Sequence, residues 1–168
     1  MAVENKYITD PKTDGYEGKL TTLFRGDQLV SVVCNFDVAA EDNDGSVYRI
    51  AKLNKNLIPV EIWLTCSAMT GATDYDIGLY RTQENGGEAA DADCFDEETD
   101  VSGGQTIVSP LNGLTDLGID NIGEQIWQLA GAASSAAADP EYDLAVTANT
   151  VGTEAGTVQV RSLFVRTT

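Results

Sequence analysis

Apolar and polar residues alternate with a period of two through much of this chain, the spacing of strands that bury one face. Residues 73 to 82, TDYDIGLYRT, show it most plainly, with Tyr75, Ile77 and Leu79 on one side and Asp76, Gly78 and Tyr80 on the other. Residues 141 to 149, EYDLAVTAN, echo it: Tyr142, Leu144 and Val146 stand opposite Asp143, Ala145 and Thr147. Both stretches open on Tyr-Asp and sit between another strand and a loop. They read as corresponding core strands in the two halves of one antiparallel β-sandwich.

The other strands follow by the same rule. In LVSVVCNFDV, residues 29 to 38, the set Val30, Val32, Cys34, Phe36 and Val38 is wholly apolar and should face the core. AAEDNDGS ends in Asp44-Gly45, a hairpin-turn signal leading into SVYRIAKL at 46 to 53, whose two faces the alternation does not separate. In LIPVEIWLTCSAM, residues 57 to 69, Pro59 argues for an edge or for a strand that starts just after it. Ile62, Leu64 and Cys66 fall on one side of that strand and Glu61, Trp63 and Thr65 on the other, so Trp63 stands on the polar face as a candidate contact for a second chain. QTIVSPLNGL and TVQVRSLFVRT complete the set, about eight strands in all. That number in one domain fits a jelly roll or a related all-β sandwich.

Three stretches break the alternation. Residues 83 to 104, QENGGEAADADCFDEETDVSGG, read as a long acidic loop between glycine pairs. DLGIDNIGEQIWQLAGAA reads as an inserted helix, capped by Asp120, with Ile122, Ile126, Trp127 and Leu129 as its apolar stripe. Residues 1 to 28 are polar, with Pro11 and three glycines and only scattered apolar positions, Tyr7, Ile8, Tyr16, Leu20, Leu23 and Phe24. Such a segment buries too little to order itself and reads as an extended arm, free or laid across a partner, ahead of a single domain at 29 to 168.

Composition narrows the function. The net charge is −17, from 27 acidic and 10 basic residues, which disfavours nucleic acid and anionic membranes as partners. There is no histidine, the commonest general base and zinc ligand, so catalysis would have to rest on carboxylates, Lys or Tyr. Cys34, Cys66 and Cys94 form no C-x-x-C pair. The first two read as buried free thiols, and Cys94 lies among carboxylates that should raise its pKa, a pattern suited to a reducing cytoplasm. The N-terminus has no apolar signal core, and no run approaches a membrane span.

The candidate chemistry is weak. Asp42-Asn43-Asp44-Gly45 resembles the start of a calcium loop, but the position that needs a bidentate Glu is Ala51. Glu88, Asp91, Asp93, Asp96, Glu97, Glu98 and Asp100 could cluster around a hard cation, although a solvated charged loop is the commoner outcome. Asp76 and Asp143 recur at equivalent places and raise a paired-carboxylate hydrolase, against the plainer reading that each hydrogen-bonds an adjoining turn. No phosphate loop, nucleophile elbow or metal-ligand spacing is present. The residues predict no catalytic site, no metal and no cofactor.

Taken together, NFDVAAEDNDGSVYRIAKL, IPVEIWLTCSAMTGATDYDIGLYRT and PEYDLAVTANTVGTEAGTVQV resemble a group of small structural proteins of tailed bacteriophages. In these an apolar strand, a DDGS-like turn, an IP-strand and a TDYDIGLY stretch precede a helix ending in LAG and an EYDLALTAN-like strand. The chain looks most like capsid decoration, or cement, proteins over residues 29 to 166. The resemblance implies a non-enzymatic β-sandwich made in the host cytoplasm, docked on the outer surface of the phage head against the major capsid protein, often as a trimer. Tyr7, Ile8, Tyr16, Leu23, Phe24 and Trp63 are then the candidate partner contacts. A tail, collar or head-fibre component is the alternative. Host-glycan binding would require aromatics gathered on one exposed face, for which Trp63, Tyr48 and Tyr80 are the candidates.

Overall fold

The structure, a computed structural model, describes residues 5–7, 21–22, 29–104, 106–109 and 121–166. Among them are ten strands: β1 (Asn5–Tyr7), β2 (Thr21–Thr22), β3 (Leu29–Val38), β4 (Ser46–Asn54), β5 (Leu57–Cys66), β6 (Asp74–Arg81), β7 (Ala89–Thr99), β8 (Thr106–Ser109), β9 (Glu141–Thr150) and β10 (Gly156–Arg166). One helical turn, α1 (Ile126–Leu129), lies between β8 and β9. The first sheet runs β1-β4-β9-β6-β7 and the second β2-β3-β10-β5-β8. From β3 onward the pairing is nested, β3 with β10, β4 with β9, β5 with β8 and β6 with β7. This is one long antiparallel hairpin rolled up so that successive pairs land in opposite sheets, a jelly roll. The all-β sandwich expected from the alternation is the fold observed.

The core lies between the sheets. Val32, Cys34, Phe36, Ile62, Leu64, Val158, Val160 and Phe164 come from the second sheet, and Tyr48, Ile50, Leu53, Tyr75, Ile77, Leu79, Tyr142, Leu144 and Val146 from the first. Phe36 stacks on Tyr48 across the gap, with centroids 4.9 Å apart. Each large aliphatic group buried this way contributes about 1.5–3 kcal/mol. The faces of β4 resist assignment from sequence because the strand carries a bulge between Arg49 and Ala51. The bulge moves the inward set from even numbers, Tyr48 and Ile50, to Leu53. Pro59 sits at a register shift in the β5–β10 ladder and beyond the residues of β5 that β8 pairs, so its missing N–H costs no ladder bond.

Several expectations are corrected. The two Tyr-Asp strands do not belong to different halves: β6 and β9 are neighbours in one sheet, with Ile77 opposite Val146 and Leu79 opposite Leu144. The stretch 83 to 104 is not a loop but a 3-10 turn at Gln83–Asn85 followed by the eleven-residue β7, which buries Cys94, Phe95, Asp96 and Thr99. The 42 to 45 segment does turn, with Gly45 at φ 82° and Ser46 N–H donating to the Asn43 carbonyl, yet it joins strands of opposite sheets rather than a hairpin. The helix is a single turn. Gln125 caps it, exchanging side-chain and backbone hydrogen bonds with Gln128, while Gly123 at φ 91° lies outside helical geometry and Ile122 is half exposed. The expected cap Asp120 lies outside the described residues.

Candidate interaction surfaces

On the outer side of the first sheet, polar groups are buried rather than presented. Arg49 and Asp143 are each 2% exposed and joined by an ion pair of 2.8 Å. Arg49 also donates to the carbonyls of Arg81 and Gly87 and lies 5.1 Å from the centroid of the Tyr80 ring. The Tyr80 hydroxyl in turn bonds Thr147 at 2.8 Å. What covers this side is β7. Between the pairs Ile77–Asp96 and Leu79–Asp91, β6 advances two residues and β7 five, and the surplus arches over Gly78. Desolvation raises the Asp143 carboxyl above its usual range, against the pull of Arg49.

Asp76 is engaged elsewhere. Its carboxylate accepts from Asn149 Nδ2 at 2.6 Å and from the Glu98 N–H at 3.1 Å, and burial raises its pKa while those bonds lower it. Asp76 lies opposite Thr147 and Asp143 opposite Tyr80, four residues along the ladder. That is roughly 13 Å, beyond the ~5–9.5 Å of paired hydrolytic carboxylates. The structure thus does not bring the two recurring aspartates together.

The acidic stretch lines a hollow of about 360 Å³ between β7 and the α1 region, with Asp91, Asp93, Cys94, Glu124 and Gln128 among its walls. Among the described residues no group of three or more His, Cys, Asp or Glu is arranged to hold a metal ion. The Cys94 thiol is pushed up first by burial and only then by Asp91 and Asp93. Cys34 is buried as expected, whereas Cys66 is only partly so.

The outer face of the second sheet is different. Ser31, Val33, Asn35 and Asp37 of β3 align with Leu163, Arg161, Gln159 and Thr157 of β10, and on the other flank Glu61, Trp63 and Thr65 of β5 meet Leu163, Arg161 and Gln159. These side chains are exposed or half-buried. The three strands together carry two acids, Asp37 and Glu61, and two bases, Arg161 and Arg166, which cancel. β7 alone carries five carboxylates, at 91, 93, 96, 97 and 98. The molecule therefore has a neutral, partly apolar face in an otherwise acidic surface.

Trp63 lies on that neutral face. The other two aromatics considered for a glycan platform do not join it, since Tyr48 is 0% and Tyr80 8% exposed. Of the arm residues, Tyr7 lies on β1, which pairs in parallel with β4 opposite Arg49, while Ile8, Tyr16, Leu23 and Phe24 lie outside the described residues. Sequence reasoning missed Arg161 and Glu61 as neighbours of one another, because only the β5–β10 register brings residues a hundred positions apart together.

No protein-family model matches the chain, and no curated protein sequence matches it. The fold is similar to solved structures. A chain from the capsid of Ralstonia phage GP4 superposes with a TM-score of 0.59 at 12% identity, covering 98% of this chain and 99% of that one. A chain from the cyanophage Pam1 capsid asymmetric unit gives a TM-score of 0.50 at 10% identity, covering 94% and 99%. Both likenesses extend end to end, so the jelly roll as a whole is the shared unit.

Proposed function

We propose that this chain is a non-enzymatic structural protein of a phage virion, a decoration or cement protein bound to the outer surface of the head through the major capsid protein. The observation that carries this reading is the end-to-end likeness of its fold to chains of two phage capsids. The surface chemistry agrees with it. A net charge of −17 repels packaged nucleic acid and suits the outside of a particle, where it also keeps particles apart. The carboxylates that recur along the chain serve internal hydrogen bonds and an ion pair, as a scaffold requires.

The arm at 1 to 28 supplies the attachment. Its described pieces, β1 and β2, lie as edge strands on the two sheets, three and two residues long. Under this reading the remainder, with Ile8, Tyr16, Leu23 and Phe24, extends onto the capsid as strand or loop contacts. The test is the copy number and position of the chain in purified virions, followed by binding of a chain lacking residues 1 to 28. Hundreds of copies over the head are expected, with particle binding lost on truncation and the sandwich still unfolding cooperatively. A dozen copies at one vertex or along the tail would replace this reading with a collar, fibre or tail component. Undiminished binding by the truncated chain would remove the arm's role.

A further inference from the structure

On the neutral face, Trp63, Glu61, Arg161 and Leu163 surround a hollow of about 130 Å³. The Arg161 guanidinium lies over the Trp63 ring, 5.7 Å from its centroid. Glu61 and Arg161 are diagonal neighbours, since Arg161 is opposite Trp63 and Leu163 is opposite Glu61. They have opposite charges, yet among the described residues neither forms an ion pair.

We propose that this face binds a second copy of the same chain, face to face about a two-fold axis. Residues paired across strands lie about 4.8 Å apart and alternate residues about 6.8 Å apart along a strand. The four side chains therefore mark a rectangle, with the charges on one diagonal and Trp63 and Leu163 on the other. A two-fold axis in the interface plane, bisecting the line from Glu61 to Arg161, runs close to the second diagonal. It sets each Glu61 against the partner's Arg161, and at the centre it sets Trp63 against the partner's Trp63 and Leu163 against the partner's Leu163. Strands of the two copies then cross at roughly 70°, near the orthogonal class of sheet packing.

Charge selects this occupant. Two copies at −17 each repel through their acidic surfaces, but β3, β5 and β10 sum to zero and Glu61 and Arg161 become complementary under that single rotation. Three strands of ten or eleven residues give a face on the order of 500 Å² per copy, the size class of a weak interface.

The experiment is sedimentation velocity of the full chain from about 1 to 100 μM, with melting curves to verify that each variant is folded. A dimer is expected. Glu61→Arg and Arg161→Glu each place like charges together and weaken it by about tenfold or more, and the double variant E61R/R161E restores it. A monomer throughout, a trimer, single reversals without effect, or a double variant as weak as the singles would each overturn the proposal. The measurement is made on the free protein, so its outcome is independent of where the chain sits in a virion.

Discussion

Arg49 shows how one side chain ties distant parts of the chain together. It reaches from β4 to Asp143 on β9 and to the carbonyls of Arg81 and Gly87 flanking the 3-10 turn, all in a site shielded from water. Burying an ion pair returns little net stability, but removing one partner leaves the other charged and desolvated. Arg49→Met is expected to lower the unfolding free energy by about 3–5 kcal/mol, read from urea denaturation. The double variant R49M/D143L should recover most of that loss, because neither charge is then stranded. An R49M chain as stable as the parent would show that the pair is not the tie it looks to be.

At the scale of elements, β7 is the strand that the alternation does not reveal and Gly78 is the residue that admits it. A side chain at Gly78 would collide with the backbone carbonyls of Asp91 and Ala92, which no rotamer change can relieve. Gly78→Ala should therefore cost about 1–3 kcal/mol and speed amide exchange across the arch of β7, measurable by hydrogen–deuterium exchange. Retained protection there would mean that the arch moves aside freely. The contrast with β3 and β10 explains what a reader of the sequence can see. Those strands keep a strict period of two, so Val32, Cys34, Phe36, Val158 and Val160 declare their face. In β4 and β7 bulges break the period, and in β7 five carboxylates imitate a solvated loop while in fact forming a sheet edge that discourages strand addition. The apolar spacing predicts too long a helix because it ignores backbone geometry: residues 121 to 124 form a separate turn, closed by the Glu124 N–H on the Asn121 carbonyl, and Gly123 at φ 91° keeps it from running into α1. Trp63 was legible as a lone apolar residue among polar neighbours; its pairing with Arg161 is a property of register.

For the whole molecule the resolved titrations of buried groups share one direction. Asp76 and Asp143 are raised by burial, so the folded state binds their protons more tightly than the unfolded chain, and stability rises as pH falls from neutrality through the raised values toward the ordinary 3.8. Tyr75, wholly buried with no hydrogen-bond partner for its hydroxyl among the described residues, and Tyr142 are also raised, so stability falls once pH exceeds the ordinary tyrosine value of 10.0. Repulsion among excess carboxylates acts in the same sense. The urea midpoint should be higher at about pH 4.5 than at about pH 7 and should decline above about pH 10, and a midpoint that drops on mild acidification would contradict the assignment. The order of strands also governs when this fold can exist at all. β9 and β10 are the middle strands of the two sheets, and they leave the ribosome after all the other described strands. Until they emerge, β4 has no bond to β6, and β3 none to β5. Before that, among the described strands, only the β1–β4, β2–β3, β5–β8 and β6–β7 pairs are available, and the closing pair, with Leu29 opposite Val165, forms after all the other strands of the sandwich have been made. Such distant pairings fold slowly, in milliseconds to seconds. The nascent chain thus depends on its own charge repulsion to stay apart from its neighbours during that wait.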